Sequence, residues 1–201
     1  MTAVMGGALE HAMVRYAGGD DAALGDVYDL LAPQLFGFLL RLTRDRAAAE
    51  DLCHETFLRI HRARSSYRPG AEVRPWALSI GRRLFLDLVR ARRRESLSLD
   101  EPRGERPSDP GVASPEPQAD ERAAATELER EIERVLARLP ERQATAFRLL
   151  KQEGLSVAEA AEVLGTTALG VKLRAHRAYD ALRAALGREW DLPARPGKER
   201  T

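Results

Sequence analysis

One cysteine, Cys53, serves all 201 residues, so the chain can close no internal disulfide and cannot build a zinc site of the usual Cys-rich kind. Aromatic residues are only 5% of the total. Ala, Leu, Arg and Glu recur throughout instead, and their intrinsic preferences favour helices over sheets, so the expected fold is all-α. No run approaches the roughly 18 apolar residues that span a bilayer, and the first residues lack the basic stretch followed by an apolar core that marks a secretory signal. The expected compartment is the reducing cytoplasm. A glycine-rich phosphate loop, a nucleophile elbow and a convincing pair of carboxylates are all missing. His54 and His61 share one helical segment without a third ligand near them in sequence. No catalytic residue, metal or cofactor is therefore assigned, and Cys53, on an apolar stripe, reads as a buried thiol rather than a redox sensor.

Net charge is also nearly lacking, at +1, so any nucleic-acid argument must rest on where the charges lie. From Arg82 to Arg94 six arginines stand against Asp87 alone, whereas from Asp100 to Glu121 seven acids stand against Arg103 and Arg106. The stretch Asp100 to Gln118 holds five of the eleven prolines. Such a composition buries little apolar area and predicts an extended, flexible linker. Two small helical domains follow, at 1–97 and 123–187, joined by a linker at 98–122 and trailed by a tail at 188–201.

In the first domain Leu24, Val27, Leu30 and Leu31 repeat at helical spacing, and Leu35 to Leu42 continue the pattern after Pro33, which should kink the helix or begin a second one. Arg46 to Ala63 sets Ala49, Leu52, Cys53, Phe57 and Ile60 on one face, with Glu50, Asp51 and Glu55 opposite or flanking. A turn-rich stretch from Tyr67 to Pro75 precedes a long helix from Trp76 to about Glu95, whose apolar stripe is Trp76, Ile80, Leu84, Leu88 and Ala91. Its C-terminal half carries the arginines, which suit that end of the helix dipole. Trp76 belongs to the stripe and is assigned to the core rather than to base stacking.

In the second domain Thr126 to Leu139 reads as one helix, and Pro140 to about Glu153 as the next, burying Ala144, Phe147 and Leu150. Ser156 and Glu159 then form a capping box before a short helix from Val157 to Leu164. Gly165 supplies a tight turn, and Thr167 can cap the last helix. Helix, short turn, helix is the geometry of a helix-turn-helix, which the small side chains of Ala158 and Ala161 would let cross closely. In the last helix Val171, Ala175, Ala178 and Leu182 form a buried stripe. That leaves Lys172, Leu173, Arg174, His176 and Arg177 free to reach bases and phosphates in a major groove.

These residues resemble those of a bacterial family, the extracytoplasmic-function (ECF) group of sigma-70-type sigma factors. Ala47 to Ala63 looks like the family's second conserved region, Arg74 to Arg94 like its stretch for the downstream promoter element, and Leu139 to Gly165 like the start of its fourth region. The resemblance implies a protein without covalent chemistry of its own that binds core RNA polymerase, recognises promoter DNA and helps open the duplex. By the same resemblance Glu50, Asp51 and Glu55, around Leu52 and Phe57, would meet the polymerase clamp helices. Tyr67, Arg68, Arg82 and Arg83 would capture the opened minus-ten strand, with Arg90, Arg92, Arg93 and Arg94 on its phosphates. Thr167, Lys172, Leu173, Arg174, His176 and Arg177 would serve the minus-thirty-five element. An anti-sigma factor, often membrane-bound in this family, is an implied partner. Many relatives carry asparagine where Arg83 stands and serine where Leu173 stands, so promoter sequence does not transfer. Leu173 could contact a thymine methyl or pack on the neighbouring domain. The alternative function is a conventional regulator, which would bind duplex operator DNA through the second domain and use the first to dimerise or sense a signal.

Overall fold

A computed structural model describes residues 2–98 and 121–187, and these form helices joined by short turns, with no strand among the described residues. The first half comprises α1 (Thr2–Ala17), α2 (Ala23–Thr43), α3 (Arg46–Ala63), a 3-10 turn (Arg64–Ser66) and α4 (Val73–Ser98). The second comprises α5 (Glu121–Ala137), α6 (Glu141–Lys151), α7 (Val157–Leu164) and α8 (Ala168–Leu186). The expected flexible linker at 98–122 lies almost wholly, and the tail at 188–201 wholly, outside the described residues.

Pro33 neither ends α2 nor divides it: the helix runs through it and buries Val27, Leu31, Leu35, Phe38 and Leu39 along one side. By length and composition α2 could also cross a membrane, which counting uninterrupted apolar runs did not anticipate. Asp45 caps α3, accepting the Ala48 N–H at 3.2 Å. The stripe expected on α3 is buried in full. The long basic helix begins at Val73, before Pro75, because α1 reaches over to cap it: a Glu10 carboxylate oxygen accepts the Val73 N–H at 3.2 Å. The deepest part of α4 is Val73, Ala77 and Leu78, whereas Trp76, Ile80 and Leu88 of the expected stripe are only partly buried. Gly81 lies where α4 comes closest to α2 and α3. A Cβ there would stand 3.2 Å from Leu35, 3.3 Å from Leu39 and 3.3 Å from the Thr56 hydroxyl.

In the second half Val135, Leu136, Ala144, Phe147, Ala178 and Leu182 make a small core of their own, with Tyr179 set edge-on to Phe147 at 5.2 Å. Leu150 is only partly buried, and the neighbouring Ala146 and Leu149 take the inner positions. The two halves also pack on each other. Leu149, Leu155, Ala160, Val163, Leu164 and Val171 join one continuous core with the helices of the first half, and α7 lies against α4. Around this junction Arg41 pairs with Glu153, Arg74 donates to the Glu153 carbonyl at 2.6 Å, and Arg82 pairs with Glu141 at 3.1 Å. The buried Glu153 carboxylate and Arg82 guanidinium need such partners, because an unpaired charge removed from water costs several kcal/mol.

Candidate nucleic-acid interface

The helix-turn-helix forms from local instructions that can each be checked. The Ser156 hydroxyl accepts the Glu159 N–H at 3.2 Å while the Glu159 carboxylate accepts the Ser156 N–H at 2.7 Å, so both halves of the capping box are made. Gly165 then turns the chain at φ 58°, in the left-handed region, and its N–H closes the end of α7. Thr167 accepts the Gly170 N–H at 3.1 Å and starts α8. Ala161 is buried at the crossing as expected, but Ala158 is exposed, and the buried small residue beside Ala161 is Ala160. Ala160 lies two residues, about 200° of helix rotation, from Ala158 and so faces the opposite way.

With Val171, Ala175, Ala178 and Leu182 buried, the outer face of α8 presents Lys172, Leu173, His176 and Arg177 to solvent, with Arg174 half-buried at its edge and Thr167 exposed at its start. His176 Nδ1 lies 2.7 Å from Asp180, one turn on, and Arg183 also approaches that carboxylate at 3.5 Å. Asp180, which sequence reading left out, thus ties down the imidazole on the face that would meet DNA. Leu173 does not pack on the neighbouring domain: it is 52% exposed. Leu169, one turn earlier, is 76% exposed and was not singled out from the sequence.

The second cationic surface is the C-terminal part of α4 with the loop before it. Arg68, Arg83, Arg90, Arg92 and Arg94 are exposed, Arg90 being held by Asp87 at 2.9 Å, and the Arg93 side chain lies outside the described residues. Tyr67 is half-buried. Its hydroxyl donates to the Ala71 carbonyl at 2.5 Å, its ring leans on Trp76 at 6.0 Å, and burial pushes its hydroxyl pKa up. Trp76 is therefore a partly buried support for Tyr67. Arg82 stands apart from the other arginines. It is buried and held by Glu141 of the opposite half, so it does not share their open surface in this arrangement.

On α3, Asp51 is exposed, Glu50 pairs with Arg46 at 2.9 Å, and Glu55 pairs with Arg59 at 3.1 Å. Leu52 and Phe57 are both buried and so support this face from beneath. The exposed apolar contribution comes from α2: Tyr28 is half-exposed and rests on Phe57 with ring centres 4.8 Å apart. Tyr28 sits away from the charged segment, and only tertiary packing brings it there. Cys53 is buried, and burial pushes its thiol pKa up, away from the reactive thiolate. His61 hydrogen-bonds the Tyr16 hydroxyl, and His54 is exposed.

Residues 27–95 match the model of sigma-70 region 2, and residues 129–182 that of sigma-70 region 4. The chain is 33% identical over 175 residues to RNA polymerase sigma factor CarQ of Myxococcus xanthus, covering 87% of this chain and 95% of that protein. It is 32% identical over 179 residues to ECF RNA polymerase sigma factor SigF of Caulobacter vibrioides, covering 87% and 91%. Among solved structures, the fold is similar to that of the sigma factor RpoE in complex with the anti-sigma factor NepR from Bartonella quintana, at 24% identity and TM-score 0.63 over 82% of this chain and 96% of that one. It is likewise similar to CnrH in complex with the cytosolic domain of CnrY, at 23% identity and TM-score 0.64 over 92% and 99%.

Proposed function

The chain belongs to the extracytoplasmic-function group of sigma-70-type RNA polymerase sigma factors, and on that premise we propose how its surfaces divide the work of directing core polymerase to specific promoters. The α8 face of Thr167, Lys172, Leu173, Arg174, His176 and Arg177 reads the minus-thirty-five element as duplex. Basic side chains fix register on the phosphates while the outward residues nearest the helix start meet base edges. The basic half of α4 tracks the opened minus-ten strand, with Arg83, Arg90, Arg92, Arg93 and Arg94 along its phosphates and Tyr67 and Arg68 at the loop as the stacking edge. Arg82 joins them once it leaves Glu141. Glu50, Asp51 and Glu55, with Tyr28 beside them over Leu52 and Phe57, dock the clamp helices of core polymerase, and charge steers that encounter. The protein works in the cytoplasm by binding alone, without a reaction of its own.

The reading is carried by one observation: a capped helix-turn-helix with an open cationic face is packed in the same molecule as a second, separate arginine-rich helix. An operator-binding regulator needs the first and has no use for the second, and the region 2 match falls on the half such a regulator would spend on dimerisation or sensing. An anti-sigma factor is the expected antagonist, since one of the structural neighbours described above was solved with such a partner. Permanganate footprinting tests the proposal. With the chain and core polymerase together, thymines near the minus-ten element become reactive, and with either alone they do not. Reactivity independent of the chain would refute it.

A further inference from the structure

Leu169 and Leu173 are the two most exposed of the large apolar side chains on α8, at 76% and 52%. Neither serves the fold, because the packing of α8 is carried by Val171, Ala175, Ala178 and Leu182 on the other side. They stand one helical turn apart and so project side by side. Their backbone is held firmly: Thr167 caps the helix just ahead of Leu169, and Leu169 lies in the first turn. Lys172 and Arg177, both exposed, flank the pair, and Arg174 stands at its edge. An apolar pair flanked by cations, with the nearby Asp180 carboxylate taken up by His176 and Arg183, suits a polyanion that offers an apolar feature between its phosphates. In the major groove that feature is the 5-methyl group of thymine.

We propose that Leu169 and Leu173 are specificity-determining residues that recognise two thymine methyl groups in the major groove of the upstream promoter element. The inference rests on the assignment of α8 as the reading helix and adds the bases it selects. Leucine offers no hydrogen bond, so it discriminates by contact alone. Against thymine it covers a methyl group, whereas against cytosine it finds none and strips water from the exocyclic amine. Four residues of helix rise about 6 Å, close to two steps of about 3.4 Å along one DNA strand. The two thymines therefore lie about two base-pair steps apart.

The test uses the full chain with core polymerase on a promoter recovered by in vitro transcription from a library randomised upstream. Each thymine of the upstream element is replaced singly by deoxyuridine, which pairs identically and lacks only the methyl. Promoter binding is expected to fall about fourfold at two positions, the equivalent of one uncovered methyl each. Leu169→Ala should abolish sensitivity at one position and Leu173→Ala at the other, while Leu173→Met, which keeps an apolar contact, should retain it. Unchanged melting temperatures establish that the variants are folded. Initiation that persists with no uracil-sensitive position, or with the same sensitivity in both alanine variants, overturns the inference and leaves the function standing. The second of those results is also what leucines docking a protein would give. Failure to recover any promoter refutes the reading of α8 itself, and the leucine assignment with it.

Discussion

Arg174 and Arg177 leave α8 at different depths, the first half-buried and the second exposed. If each reaches a base edge, replacing either by alanine should weaken upstream-element binding by about 1–3 kcal/mol, measured by fluorescence anisotropy with holoenzyme. Equal affinity in both variants would move the reading surface elsewhere. A second residue-scale prediction concerns Glu133, which receives Arg148 at 2.6 Å and Gln152 at 2.9 Å. Burial pushes the Glu133 carboxyl up, but the hydrogen bond and charge of Arg148 outweigh this and leave it below the usual range. A carboxyl lowered in the folded state contributes stability that is present above its unfolded pKa and is lost as pH falls through the folded one. Acid denaturation followed by circular dichroism should therefore be less steep in Glu133→Gln than in the parent, and an identical pH profile would contradict the assignment. Arg148 itself is buried, and its replacement by alanine, which strands Glu133, should cost about 2–4 kcal/mol in urea melts.

At the scale of the element, the helices most readable from sequence were those whose ends are set by their own side chains. The bounds expected for the segment 46–63 agree with α3, capped by Asp45, and the capping box at Ser156 starts α7 where expected. Ser156→Ala should destabilise the second half by about 1 kcal/mol, seen as a lower urea midpoint with unchanged slope. Sequence reading passed over α1. Its buried Leu9, Ala12, Met13 and Tyr16 do repeat at helical spacing, but Gly6 and Gly7 interrupt the start and no capping side chain announces it. It also set the start of α4 too late, because the cap comes from Glu10 across the fold, which no local pattern reveals. The same holds for Tyr28 beside the acidic face and for Arg82 under Glu141: the family resemblance nominated the arginine, but only packing shows what holds it. Gly81 gives the element-scale test of how tightly α4 is seated. Alanine would gain about 1 kcal/mol of helix propensity against contacts already tight, so Gly81→Ala should be near neutral. Gly81→Val should lose about 1–3 kcal/mol or more by overpacking. A stable Gly81→Val protein would show that α4 sits more loosely than described.

Across the molecule, the two sets of four helices among the described residues pack on one another while leaving their candidate functional faces unequally open. The outer face of α8 is free, the basic end of α4 is largely free, and Arg82 alone among the described candidate side chains on α4 is buried against the other half. Glu141→Lys would set a cation against Arg82 and should loosen the junction, read as a larger radius of gyration in small-angle X-ray scattering. An unchanged radius would mean that the apolar contacts of Leu149, Leu155 and Val163 hold the halves together without the ion pairs. As a sigma factor, this single chain converts core polymerase into an enzyme that starts at chosen promoters. Run-off transcription with purified core polymerase and a genomic promoter library measures this directly. Discrete start sites that require the chain and share upstream and downstream elements are the expected result, whereas a transcript set identical with and without the chain would refute a sigma-factor role.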